Sequence, residues 1–234
     1  ILHILLGFRK NKYAAVADIE KAFPQISIAL EHRDALRCLW IEDGVVNVYR
    51  FKRLPFGLTC SPYILQATLR KHLKDYEIDE ETMHNFVASI YVDDSVWSET
   101  SPEKLFSRKN LYTDVFSKCS MNLRDWNSNY FEAKKRWSEE ENREYLKMVK
   151  PLGMVWDTEA DTLQINDQRL LEKMNKHCKT KRDIWEIVPS LWDPTGLLAP
   201  AIVEGKNIVS EACKAVKGWD ASLPGDILLK MRKW

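Results

Sequence analysis

Paired thiols, long apolar runs and an excess of either charge are all missing from this chain of 234 residues. Its five cysteines, Cys38, Cys60, Cys119, Cys178 and Cys213, are far apart and odd in number, with no CxxC pair. They indicate neither a disulfide framework nor a zinc site, and they suit a reducing compartment. The five histidines are equally scattered, so His32 and His72 read as surface or packing residues rather than ligands. Lys plus Arg number 35 against 34 Asp plus Glu, a net charge of +1. Such balance excludes attachment to nucleic acid by bulk charge alone but leaves room for a local basic groove. No apolar run approaches the ~18 residues of a membrane span, and Ile1 to Phe8 is too short for a signal peptide and lacks a cleavage pattern. Internal repeats and low-complexity tracts are also lacking. The chain opens on Ile1 with no initiator Met, which reads as a piece of a longer polypeptide, long enough for one large domain or two small ones.

The most informative stretch runs from Phe86 to Glu99. Two β-rich runs, Phe86 to Val92 and Ser95 to Ser98, flank adjacent acids and predict a tight hairpin with Asp93 and Asp94 at its tip. Adjacent like charges beside apolar strands repel unless a cation or a raised pKa compensates. A hard divalent cation such as Mg²⁺ or Mn²⁺ is one remedy; an exposed Asp-Asp turn of no consequence is the other reading. Tyr13 to Ile19 reads as a buried strand whose odd residue is Asp18. That carboxylate either caps a short turn, Glu20 to Phe23, or shares a metal with the hairpin tip.

Elsewhere, Ile1 to Phe8 has apolar positions at helical spacing, and Ile28 to Trp40 also reads as helical after Pro24. Val45 to Phe51 is a strand after an Asp43-Gly44 turn. The loop Leu54 to Leu58, with Gly57 permitting close backbone approach, feeds a helix from Tyr63 to about Tyr76, with Ser61 as cap and Pro62 first. Ser101-Pro102 opens another helix to about Ser120, with Leu105, Leu111, Val115 and Phe116 inward, and Met121 to Trp126 alternates as a strand. Ala133 to Lys150, dense in both charges, reads as a solvated loop or helix face. Leu152 to Asp157 pairs with Thr162 to Ile165 as a hairpin, and from Asp167 the pattern turns helical, marking a candidate boundary. This order predicts an α+β fold, an antiparallel sheet with helices packed on one face, in which Asp18 and Asp93 can lie on neighbouring strands.

Several motifs in order resemble the reverse transcriptase domain of Pao/BEL-type long-terminal-repeat retrotransposons: Ala17 to Phe23, Arg53 to Leu58 with Ser61-Pro62, Tyr91-Val92-Asp93-Asp94, Met121 to Arg124 with Trp126 and Ser128-Asn129, and Leu152-Gly153. Trp192 to Pro200 is similar to this group rather than to other reverse transcriptases. The resemblance implies a right-hand polymerase: a palm with partial fingers over residues 1–166 and a helical thumb- or connection-like region over 167–234. It implies RNA- and DNA-templated DNA synthesis on a template–primer, from deoxynucleoside triphosphates, in an intracellular, cytoplasmic particle. Asp18 and Asp93 would hold two Mg²⁺ ions, Mn²⁺ being an alternative, with Asp94 a less direct third carboxylate and the Ile19 carbonyl a further ligand. Phe23 matches the aromatic gate against a 2′-hydroxyl; its other reading is a core aromatic. Phe56 and Gly57 match the loop packing on the incoming nucleotide, with Arg53 a candidate phosphate contact. Leu152-Gly153 is similar to the primer grip, Arg124 lies near a pyrophosphate-side basic position, and Tyr91 opens the acidic motif. No protease, ribonuclease H or integrase motif is visible. The rival readings are a degenerate or domesticated fragment that binds nucleic acid or protein without catalysis, and a palm-fold nucleotide cyclase, disfavoured by the lack of a glycine-rich nucleotide loop.

Overall fold

A computed structural model describes residues 1–76, 78–174 and 178–234. In chain order the elements are α1 (Leu2–Phe8), β1 (Tyr13–Ile19), α2 (Ala22–Gln25), β2 (Arg37–Glu42), β3 (Val45–Arg50), α3 (Ser61–Asp75), α4 (Glu80–Val87), β4 (Ile90–Tyr91), β5 (Asp94–Glu99), α5 (Pro102–Lys118), β6 (Leu123–Ser128), α6 (Phe131–Glu140), β7 (Met148–Val149), β8 (Val155–Asp157), β9 (Thr162–Gln164), α7 (Gln168–Met174), α8 (Lys181–Ile187), α9 (Ala199–Ala215) and α10 (Gly225–Lys233). They form two compact units, His3–Lys147 and Met148–Trp234 with Ile1–Leu2. That division falls ahead of the change of pattern at Asp167.

The first unit is built on an antiparallel sheet of order β4-β5-β1-β6. The apolar run in β1 makes it a central strand, buried from Ala14 to Ala17. Helix α5 packs on β1, β5 and β6. Its N-cap Ser101 accepts from the Lys104 N–H, and Pro102 follows where no intrahelical donor is needed. Leu105, Tyr112, Val115 and Phe116 are its buried residues; Leu111 is half-buried. A chain of aromatic contacts runs through the core: Phe86 on Tyr112 (4.1 Å), Tyr112 on Trp97 (5.7 Å), Trp97 on Trp126 (6.5 Å) and Trp126 on Trp137 (5.6 Å). Offset and edge-on rings of this kind add to the burial of their large apolar area.

Four local readings are corrected. Phe86 and Val87 end α4 rather than begin a strand, because Asp79 accepts from the Thr82 N–H and Glu80 and Glu81 favour the helix start. Ile28 to Trp40 is not a helix: Leu30–Ala35 forms a 3-10 turn, and the chain then enters β2, drawn into a ribbon with β3 by Asp43 (φ 52) and Gly44 (φ 76). Asp18 stays in β1 and does not cap α2, whose N-cap residue is Lys21. The cap of α3 is Cys60, one residue early, while the Ser61 hydroxyl donates to the Pro55 carbonyl at 2.8 Å. In the charged stretch the helix with a solvated face is present as α6, but its other face buries Ala133, Lys134, Trp137 and Ser138.

The second unit combines the β7-β8-β9 sheet with α7 to α10, around a core that includes Ile184, Ile187, Val188, Ile208, Ile227 and Met231. Thr180 and Asp183 form a reciprocal capping box at the start of α8. Leu152 and Gly153 lie in a 3-10 turn before β8, not within the strand.

Candidate active site

The small residues of β1 bring Asp18 to the end of the strand, where its register partner in β5 is Asp94. The Ile19 N–H donates to the Asp93 carbonyl at 2.9 Å, so all three acids meet at one end of the sheet. Tyr91 pairs with Asp94, leaving Val92 and Asp93 as the two loop residues of the hairpin; Asp94 itself opens β5. Val92 sits at φ 57, a left-handed conformation that a branched Cβ disfavours.

On the other side of β1, Arg124 of β6 is the register partner of Asp18. Its Nε lies 3.7 Å from Asp18 Oδ2 and its Nη1 3.6 Å from Glu20 Oε1. This placement depends on a bulge. Val16 pairs with Asn127 but Asp18 with Arg124, so β6 carries one extra residue there, and Asp125 takes φ 56. The bulge re-aims the strand and sets Arg124 opposite Asp18.

Burial raises the pKa of Asp18 above the ordinary carboxylate value, and the charges of Asp93 and Asp125 act in the same direction; Arg124 opposes them. Glu20 moves the other way. Asn122 Nδ2 donates to its Oε2 at 3.2 Å, and with Arg124 and Lys21 this holds Glu20 below the usual range. Sequence reasoning missed Glu20, Asn122 and Asp125 as parts of this end of the sheet. The only available signals were the closeness of Glu20 to Asp18 and of Asn122 and Asp125 to Arg124.

A second group of expected residues assembles beside α2. Phe23 is 8% exposed and belongs to the core, yet its ring meets that of Phe56 edge-on, with centroids 5.1 Å apart. Phe56 is 69% exposed. Gly57 has φ 86, and a Cβ there would meet nothing within 4 Å, so its backbone is open to close approach. The loop is braced from within. Leu54 N–H donates to the Ile26 carbonyl at 2.9 Å, and Arg53 Nη1 donates to the Gln25 carbonyl (3.0 Å) and Ser27 Oγ (2.8 Å). In the second unit, Leu152 is buried at φ 52 and ψ 26, followed by Gly153 at φ 81.

Among the described residues, no group of three or more His, Cys, Asp or Glu side chains is gathered as a metal cage. The donor set still suits a hard divalent cation: crowded carboxylates, one with a raised pKa, lose repulsion when a cation enters. Mg²⁺ is commonly held by one or two carboxylates with the rest of its shell from water and substrate phosphates, so a full protein cage is not required. No helix among the described residues is long and apolar enough to cross a membrane.

Residues 3–149 match the family described as reverse transcriptase (RNA-dependent DNA polymerase), and residues 180–234 match the Pao retrotransposon-like RNaseH-like domain. In this chain the latter residues fold as α8, α9 and α10, with no strand among those described. No curated protein matches. Solved structures of similar fold include the foamy viral protease-reverse transcriptase in complex with RNA/DNA hybrid, at 14% identity and a TM-score of 0.63, covering 99% of this chain and 28% of that one. The same protein in complex with dsDNA aligns at 14% identity and a TM-score of 0.57, over 98% of this chain and 43% of that one. The chain thus spans less than half the length of these structures. With most of its length matched, and with the Pao-type segment following in order, the chain belongs to the reverse transcriptase (RNA-dependent DNA polymerase) family.

Proposed function

We propose that this chain carries the palm of a retrotransposon polymerase that extends a primer on RNA or DNA templates, working inside the cell on deoxynucleoside triphosphates. The observation that carries this reading is the meeting of Asp18 with Asp93 and Asp94 at one sheet end, where burial and mutual charge raise Asp18. Asp18 and Asp93 would hold two divalent cations, Mg²⁺ by preference for hard oxygen or Mn²⁺, with Asp94 and the Ile19 carbonyl supporting. When bound, such ions supply Lewis acidity to the attacking 3′-hydroxyl and neutralise charge on the leaving pyrophosphate.

The chain's own residues orient the reactants. Phe23, backed by the core and met edge-on by Phe56, would form a rigid floor for the sugar and leave no room for a 2′-hydroxyl. Phe56 and Gly57 offer an exposed ring and an open backbone to the incoming base pair, and Arg53 braces that loop while leaving Nε and Nη2 for phosphate. Arg124 steadies Asp18 and Glu20 and would receive developing phosphate charge. Tyr91 flanks the acids, and Leu152 and Gly153 grip the primer. We assign residues 1–166 to palm and partial fingers and 167–234 to a thumb- or connection-like helical region.

Primer extension with Mg²⁺ on RNA and DNA templates tests this, in the longer polyprotein that carries the chain. Asp93→Asn is expected to lower incorporation by about a hundred- to a thousandfold, the scale on which single charged or polar groups act at such sites. Unchanged extension would remove the reading. Template–primer binding without any incorporation by the parent protein would favour the non-catalytic alternative.

A further inference from the structure

The Trp192 to Pro200 stretch stands out in the sequence, and the catalytic reading leaves it without a task. Within the second unit its first residue reaches back forty positions: the Trp192 indole N–H donates to the Leu152 carbonyl at 3.0 Å. The same ring covers Gly153. A Cβ added to Gly153 would lie 2.8 Å from both Cδ1 and Nε1 of Trp192, closer than real atoms pack. Glycine is therefore demanded twice at 153, by its φ of 81 and by the indole above it. Leu152, at φ 52, holds a conformation that residues with a Cβ avoid, and the indole bond is one of the contacts that secures it.

The tryptophan is itself anchored by the next residue. The Asp193 carboxylate accepts from Thr195 Oγ1 (2.7 Å) and from the N–H groups of Gly196 (2.9 Å), Leu197 (3.2 Å) and Leu198 (2.6 Å), which holds its pKa below the ordinary range despite some burial. This closed loop leads straight into α9. Trp192 thus extends from a tightly bonded loop onto the turn.

We propose that Trp192 is a positioning residue that fixes the shape of the Leu152–Gly153 turn for contact with the primer strand. The proposal rests on the reading of that turn as the primer grip. Side chains from a distant segment that lock a backbone conformation act on binding by pre-organisation rather than by touching the ligand.

The test measures the affinity of this chain for a fluorescently labelled primer–template duplex by anisotropy, in the parent and in Trp192→Phe, Trp192→Ala, Gly153→Ala, Leu152→Ala and the Trp192→Ala/Gly153→Ala pair. Trp192→Phe keeps a ring but loses the donor and is expected to weaken binding about fivefold, the scale of one hydrogen bond. Trp192→Ala is expected to weaken it further. Gly153→Ala should cost less in the Trp192→Ala background than in the parent, because the collision with the indole is gone while the strain of φ 81 remains. A tryptophan that served folding alone would lower the melting temperature in Trp192→Ala and leave the affinity of the folded protein unchanged. The Trp192 indole ¹⁵N–¹H signal, identified by its loss in Trp192→Phe, should shift in Gly153→Ala. Unchanged affinity in Trp192→Ala alongside weakened binding in Leu152→Ala or Gly153→Ala overturns the positioning role and leaves the grip standing. Equal cost of Gly153→Ala in both backgrounds also overturns it. No binding by the parent, or no effect of Leu152→Ala and Gly153→Ala, removes the grip reading and the proposal with it.

Discussion

In the four-stranded sheet Ala14 to Ala17 of β1 and Val96 and Trp97 of β5 are all buried, whereas in the β2–β3 ribbon Leu39, Trp40, Ile41, Val45, Val46 and Val48 are 57% to 70% exposed. Both regions are rich in residues that favour extended backbone, and both form regular antiparallel ladders. What separates them is the covering layer. Helix α5 packs on three strands of the sheet, while β2 and β3 pack chiefly on each other. Apolar composition makes a strand; a second layer decides whether it is buried. The contrast extends to the acids. Glu42 in the ribbon accepts from the Tyr49 hydroxyl at 2.9 Å in solvent, while Asp18, set among covered residues, has its pKa pushed upward by burial.

The sharpest way to break this comparison is to remove an equivalent ring from each region. Trp97→Ala is expected to cost about 3–5 kcal/mol, since it empties a position 2% exposed; urea unfolding measures it. Next, Asp18→Asn is expected to abolish incorporation while leaving the melting temperature no lower than the parent's at neutral pH. The pH dependence follows from the raised pKa. The folded chain binds this proton more tightly than the unfolded chain, whose value lies near 3.8. The stabilising contribution is therefore complete below that value and is lost as pH rises through the folded pKa. The melting temperature of Asp18→Asn relative to the parent should rise as the pH is taken upward from the ordinary carboxylate value of 3.8. Because Asp18 is 36% exposed, solvent keeps this effect small. A flat difference would mean that Arg124 offsets the repulsion in full. The smallest effect is expected in the ribbon. Trp40→Ser should change stability by no more than about 0.5 kcal/mol, as befits an exposed position; a loss comparable to that of Trp97→Ala would show that the ribbon is covered in solution.

Much of this fold is legible because local and global signals agree. The unbroken apolar run of β1, the Ser101-Pro102 start of α5 and the Asp43-Gly44 turn each point one way, and the isolated acid in β1 points to its partners in the hairpin. Ile28 to Trp40 misleads because its apolar residues fit a helical stripe as well as a ribbon, and only pairing with β3 settles the choice. The Arg124–Asp18 pairing hides for a different reason. It follows from one extra residue at Asp125, and a bulge changes register without leaving a pattern in composition. The contact of Phe23 with Phe56 and that of Trp192 with Gly153 join residues far apart in the chain, which periodicity cannot see.

Val92 has a further consequence. A branched side chain at the apex of the β4–β5 hairpin stores backbone strain beside the acids it helps to place. Glycine would relax that apex, but it would also loosen the hold on Asp93 and Asp94, which follow it in the chain. Position 92 thus sets an easier backbone against a firmly held hairpin tip.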